Sequence, residues 1–392
     1  MKTARTLTSF KSLWVCTVAL ATVIATLYAQ ETKPAPAAQA DPAAVVEPAE
    51  EEAQAAKPAK LDCAWLPFPD NVRFKVLGLH WFEQDQPKLW RMPAEQFGTL
   101  PQGVRRRSRS PAGGRILLKC NTSKLGLRVL PQNKGNLKGF DVYVNGSFFK
   151  SVFAEEPKVE VELVLFKDLD RREKEIVIYL PYHQEVRIKA IGVDEDAKFG
   201  APGHLYAKPL PVVFYGSSVC QGNGTLKPGM TYPAKLCREL NLDFVSLGFG
   251  GAGKAEANVV ELVNSIPACC YIFDLGKSYG MQDATAYRKM LETVRQAHPN
   301  VPLICLTPIT SALEVHSQTY ANRSRHTREV MREAVNDFMK SGLKDVYLLE
   351  GTDLLGFTEH DGLSRDGVHP TDYGYSIIAK KLLPITRKAL GL

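Results

Sequence analysis

From residue 210 onward the chain alternates between two textures, and that alternation limits its fold more than any other feature. Short apolar runs at 210–215, 243–247, 269–275, 301–306 and 345–349 are separated by longer amphipathic stretches near 229–240, 254–265, 282–297, 317–341 and 371–390. Apolar runs of this length suit strands buried on both faces, and strands interleaved with helices imply a parallel sheet covered on both sides. Right-handed crossovers then give a doubly wound α/β fold whose loops gather at the C-terminal ends of the strands, where such sheets bind ligands. The first run, Val212-Val213-Phe214-Tyr215, breaks into Gly216-Ser217-Ser218-Val219-Cys220-Gln221-Gly222. A buried strand of this kind delivers the Ser218 hydroxyl to the mouth of the fold.

The segment 61–200 has a different texture. Runs at 115–119, 126–130, 140–144, 159–164, 175–180 and 185–190 are β-branched or alternating, with turn signals such as Asn145-Gly146 between them. That spacing predicts an all-β sandwich in front of the α/β domain, which itself spans 208–392. The run Arg105-Arg106-Arg107-Ser108-Arg109 is expected to be a solvated loop. Residues 30–60, rich in Ala, Pro, Glu and Gln with almost no large apolar residue, cannot bury enough apolar surface to offset their ordering entropy and are expected to be a disordered linker. Ahead of them, Lys2, Arg5 and Lys11 precede an apolar stretch, Leu13 to Ile24, as in a secretory leader ending near Ala29. The protein is therefore expected to be exported, to periplasm or exterior. The stretch is short for a membrane span, and an uncleaved N-terminal anchor is the alternative.

Charge excludes one class of partner. The +3 of residues 1–30 and the −3 of residues 31–60 cancel, so the formal +7 is spread thinly over the rest, without the basic stripe expected of a nucleic-acid binder. Cys16 aside, seven cysteines remain, an odd number with no C-x-x-C spacing, so they read as small buried hydrophobes, with Cys63–Cys120 the one disulfide to test. No His, Asp and Glu cluster has metal-ligand spacing, His316 and His326 read as surface residues on a helix, and no metal or cofactor is expected.

A serine hydroxyl is a useful nucleophile only with a base in reach, itself oriented by a carboxylate. Asp366-Gly367-Val368-His369-Pro370 offers both on one loop before the last helix, although Asp366 as a turn cap and His369-Pro370 as a helix start explain the same residues. Further segments make the case specific. Gly216 to Gly222, Leu247-Gly248-Phe249-Gly250-Gly251 and Asp366 to Gly374 resemble, in order, sequence blocks of the SGNH or GDSL hydrolase superfamily, esterases and lipases of flavodoxin-like fold. Gly139-Phe140-Asp141-Val142-Tyr143 and Leu180-Pro181-Tyr182 resemble the β-rich module, named for a Gly-x-Asp-Leu-Tyr motif, that precedes one branch of it. The resemblance implies Ser218 as nucleophile, His369 as general base and Asp366 as its orienter, with the backbone N–H groups of Ser218 and Gly251 as oxyanion donors. It also exposes a departure. Relatives carry an Asn where Tyr271 to Ser278 puts Ser278, so Ser278 is a shorter donor, Lys277 swings in instead, or the site is weakened.

The resemblance implies a carboxylic esterase, by analogy acting on acetyl groups of polysaccharide. The alternative is a non-catalytic glycan-binding protein with a decayed site, which the Ser278 substitution favours. A flavodoxin-like cofactor binder is a third option, with Gly248 to Gly253 only superficially a phosphate loop.

Overall fold

The computed structural model describes residues 60–392 apart from 135–138, 155 and 343. The leader and linker expected over residues 1–60 lie outside these, save Lys60. The β-rich part builds two facing antiparallel sheets. One contains β1 (Ala64–Pro67), β9 (Val186–Val193), β4 (Leu125–Pro131) and β7 (Val161–Phe166), in that order. The other runs β10 (Phe199–Gly200), β3 (Arg115–Cys120), β8 (Lys174–Tyr179), β5 (Phe140–Val144) and β6 (Ser147–Val152), with β2 (Lys75–Leu77) also on β3. Ile116, Leu118, Leu127, Val129, Ile176, Ile178 and Ile188 fill the space between the sheets, as alternation on each strand requires. The Asn145-Gly146 turn adopts positive φ at both residues, the conformation of a tight hairpin, and returns the chain as β6. That strand is largely exposed on its first half, which is why its pattern escaped the hydrophobic reading.

The second part is a five-stranded parallel sheet, β11 (Val212–Gly216), β12 (Phe244–Gly248), β13 (Cys270–Asp274), β14 (Leu303–Leu306) and β15 (Val346–Leu349), in the order β12-β11-β13-β14-β15. Residues of one strand serve opposite faces. Val213 and Tyr215 pack with Val259, Val263, Leu291 and Met331 from helices Ala257–Asn264, Thr285–Ala297 and Gln318–Lys340. Val212 and Phe214 pack with Leu236, Cys237, Ile378 and Leu382 from Tyr232–Glu239 and Asp372–Leu390. Both faces are thus dry, as the unbroken apolar runs require.

Three features of the sequence resolve differently from expectation. The arginine run is not a solvated loop: Gln102–Ser108 is helical, and Arg107 Nε donates to the Gly250 carbonyl at 3.0 Å while Arg109 lies over the Trp90 and Phe97 rings. Arg105 and Arg107 are half-buried, whereas Arg106 and Arg109 keep the exposure expected of them. Cys63 and Cys120 are not bonded; all seven described cysteines are free. Cys63 lies against Gly192 in one sheet, whereas Cys120 ends β3 in the other. His316 closes a separate short helix, Ala312–His316, rather than sharing one with His326.

The β-rich part is tied to the α/β part by polar contacts with backbone. Arg91, 1% exposed, donates to the carbonyls of Ser110, Arg107, Ser246 and Gly248. Asp141, in the Gly139 to Tyr143 motif, accepts from Gly229 N at 2.8 Å and from Ser151 Oγ at 2.5 Å. Burial lifts its carboxyl to about 6 against those two hydrogen bonds. The Tyr182 hydroxyl reaches across to the Thr225 carbonyl at 2.7 Å.

Candidate active site

Strand register builds the site. Gly216 at the end of β11 pairs with Gly248 of β12 on one side and Asp274 of β13 on the other. All three strands therefore end at one level, and the loops carrying Ser218, Gly251 and Ser278 leave from it together. Close approach explains the glycines: a Cβ on Gly248 would stand 2.2 Å from Gln221 N. Gly251 has φ +73°, the left-handed region that glycine adopts without strain, and a Cβ there would meet nothing within 4 Å.

Ser218 opens the short helix Ser218–Gln221. Its Oγ lies 2.9 Å from His369 Nε2, and His369 Nδ1 lies 2.6 Å from Asp366 Oδ2. The other Asp366 oxygen accepts from the N–H groups of Val368 and His369 and from Ser364 Oγ, each at 2.9 Å. One carboxylate thus both turns its own loop and aims the imidazole. Partial burial raises the Asp366 pKa, but the His369 ring and the two amides outweigh it and hold the carboxyl well below the ordinary range. The loop is fixed at its far end by the Leu363–Pro370 bridge and by Thr371, whose hydroxyl caps Asp372–Leu390. Such a chain can move a proton from a hydroxyl to an imidazole that a fixed anion stabilises.

Ser278 sits in the turn Gly276–Tyr279 after β13 and lines, with Ser217, Ser218, Asp274, Pro308, Ile309 and Val368, a cavity of about 40 Å³. Lys277 does not swing into the position of the missing Asn. Its ammonium lies 2.9 Å from Glu314 Oε1, on a carboxylate that also takes a two-pronged contact from Arg328 at 2.8 and 2.9 Å. Burial lowers the Lys277 ammonium to about 8 although Glu314 opposes the shift.

Several residues around Ser218 were not singled out from the sequence. Asp274 is buried in the floor, accepts from the Tyr232 hydroxyl at 3.0 Å, and is pushed by burial to about 7 despite that bond. His183 of the β-rich part reaches Asn223 just beyond the Ser218 helix, with Nε2 2.5 Å from Oδ1. Neither carries a sequence signal, since each is defined by a partner far along the chain. Among the described residues, no helix is long and apolar enough to cross a membrane and no three His, Cys, Asp or Glu side chains are grouped to hold a metal ion.

With this geometry established, the likenesses to known proteins fall into place. Residues 209–387 match the model of the GDSL-like lipase/acylhydrolase family, and residues 64–199 match the GxDLY module found at the N-terminus of SGNH-hydrolase-type esterases. A GDSL-like lipase candidate from Bacteroides ovatus superposes with a TM-score of 0.74 at 26% identity, over 84% of this chain and 98% of that one. The salicylyl-acyltransferase SsfX3 of a tetracycline biosynthetic pathway superposes at 0.71 and 20% identity, over 84% and 97%. A family two carbohydrate esterase from Clostridium thermocellum, solved with cellohexaose, superposes at 0.55 and 17% identity, over 71% and 93%. The last two likenesses are of fold. No curated protein sequence matches the chain significantly. The protein is an ester hydrolase. Within that class, residues 209–387 belong with the GDSL-like lipase/acylhydrolases and residues 64–199 with the GxDLY module that stands in front of SGNH-type esterases.

Proposed function

We propose that the protein is an exported esterase that removes small acyl groups, acetyl first among them, from carbohydrate through a Ser218 acyl-enzyme. The observation that carries this reading is the unbroken Asp366–His369–Ser218 chain of hydrogen bonds at 2.6 and 2.9 Å. Ser218 Oγ attacks the ester carbonyl carbon as its proton passes to His369 Nε2, and Asp366 stabilises the imidazolium. The N–H groups of Ser218 and Gly251, with the Ser278 hydroxyl as a shorter third donor, hold the oxyanion. The tetrahedral intermediate collapses, the C–O bond to the alcohol breaks, and His369 returns the proton to the departing oxygen. Water, activated by the same imidazole, then releases the carboxylic acid and restores Ser218.

The acyl preference is supported by the small size of the cavity beside Ser218, about 40 Å³. The carbohydrate side is supported by the cellohexaose-bound esterase among its structural neighbours, and export by the leader-like residues 1–29. The Ser278 position favours a second reading, a weakly active or glycan-binding protein. Labelling with a fluorophosphonate separates the two. Modification of Ser218, together with loss of p-nitrophenyl acetate hydrolysis in Ser218→Ala, is expected; undiminished turnover in that variant would sink the nucleophile assignment.

A further inference from the structure

Ser218 stands between two unlike walls. Toward β13 and β14 lies the small cavity closed by Ser278, Pro308, Ile309 and Val368. Toward β12 lies Asn223. Its backbone is bound to the nucleophile's own turn, with its N–H donating to the Ser218 carbonyl at 2.9 Å and its carbonyl accepting from the Tyr375 hydroxyl at 2.7 Å. Its side-chain Nδ2 is 3.3 Å from the point a Cβ on Gly250 would occupy, and Ser218 Cβ is 3.5 Å from that same point. The amide nitrogen therefore shares one small space with the nucleophile's side chain. The next residue, Gly224, touches the base: a Cβ there would be 3.0 Å from His369 Cβ.

The direction of the amide is set from the other half of the chain. His183, between β8 and β9, places Nε2 2.5 Å from Asn223 Oδ1. Its ring meets Tyr182 edge-on at 4.9 Å, and Tyr182 is anchored to Thr225. With its oxygen engaged by an imidazole N–H, an amide has only N–H groups to offer elsewhere. Asn223 is half-buried, so those groups remain within reach of a substrate. In the mechanism proposed above, an ester whose acyl group filled the β13 side would hold its alcohol beside His369, the imidazole that must protonate it, and so on the Asn223 side.

We propose that Asn223, oriented by His183, is a specificity-determining residue that donates its amide N–H to a hydroxyl or ring oxygen of the alcohol half of the ester, so that the β-rich part completes the active site. This rests on the assignment of Ser218 and a sugar-ester substrate above. A phenolic leaving group offers no such oxygen near the ester, and an acetylated cello-oligosaccharide offers several.

The test compares kcat/KM for acetylated cello-oligosaccharides with that for p-nitrophenyl acetate. In Asn223→Ala the ratio of the two is expected to fall about tenfold, mainly through KM on the sugar ester, the scale of one hydrogen bond. Asn223→Asp, which keeps the size and loses the donor, should do the same. His183→Ala should lower the ratio less, and combining it with Asn223→Ala should lower it no further, since the imidazole reaches the substrate through the amide. An equal loss on both esters, or an unchanged ratio, overturns the inference while leaving the esterase intact. A parent enzyme inert toward the sugar ester but active on p-nitrophenyl acetate instead overturns the carbohydrate reading, and the inference with it.

Discussion

The guanidinium of Arg91 donates to the Gly248 carbonyl across 2.5 Å, joining the β-rich part to the strand end from which Gly251 leaves. The same side chain serves the carbonyls of Ser246, Ser110 and Arg107 and is fully buried, with its plane 4.8 Å from the Phe249 ring centre. Arg91→Met keeps much of the volume but leaves those acceptors without their donor, each costing about 1–3 kcal/mol where nothing replaces it. The variant is expected to lose about 3 kcal/mol or more, read as a clear drop in thermal and denaturant midpoints. Arg91→Lys should rescue little, because an ammonium cannot span four carbonyls. A midpoint within about a degree of the parent would show that the junction does not depend on this residue.

Lys277 also borders the cavity, but its ammonium is paired with Glu314, so Ser278 is left as the hydrogen-bond donor at the position of the Asn missing from the third sequence block. Removing one oxyanion donor from a complete hole costs about 10²–10³ in rate. Restoring the longer amide in Ser278→Asn should therefore raise kcat on p-nitrophenyl acetate, by about tenfold given a shared donor load. KM should move little, because the contact strengthens only as the oxyanion forms. Steady-state kinetics with no gain in kcat would mean that the hole is already satisfied by the Ser218 and Gly251 amides.

Acyl length offers an independent check on the cavity. Ile309, Pro308 and Val368 close it, and Ile309 is 8% exposed. Forcing extra methylenes into a packed site costs about 1–3 kcal/mol. kcat/KM on p-nitrophenyl esters should then fall at least about tenfold from acetate to hexanoate. Ile309→Ala should flatten that ladder by raising the longer members. A parent enzyme equally fast on all chain lengths would remove the argument for acetyl.

The fold was legible where burial is two-sided. The five apolar runs became β11 to β15, because strands covered on both faces must be apolar throughout. That Ser218, Asp366 and His369 meet at one place was legible as well, since they lie in recognisable sequence blocks and two of them share one short loop. What stayed hidden depends on partners distant in sequence. β6 escaped because an exposed edge strand such as Ser147–Val152 has no need of apolar alternation. Arg107 looked like a solvated charge because its acceptor, Gly250, lies 143 positions away. Asp274 carried no mark of burial, and Asn223 acquires a direction only through His183.

Asp274 makes the pH dependence of stability measurable. Burial, only partly offset by the Tyr232 hydroxyl, lifts its carboxyl from an ordinary 3.8 to about 7. Between those values the folded state holds a proton that the unfolded chain has released. Its contribution is therefore fully present below the unfolded value and is lost as pH rises through the folded one. Asp274→Asn removes this titration while an amide oxygen still accepts from Tyr232. Relative to the parent, the variant should gain stability steadily from about pH 4 to about pH 7, reaching a few kcal/mol at pH 8. The constant cost of seating an amide shifts the whole curve but not its slope. Thermal melts of both proteins across that range give the difference directly, and parallel curves would mean that Asp274 is ionised in the folded protein.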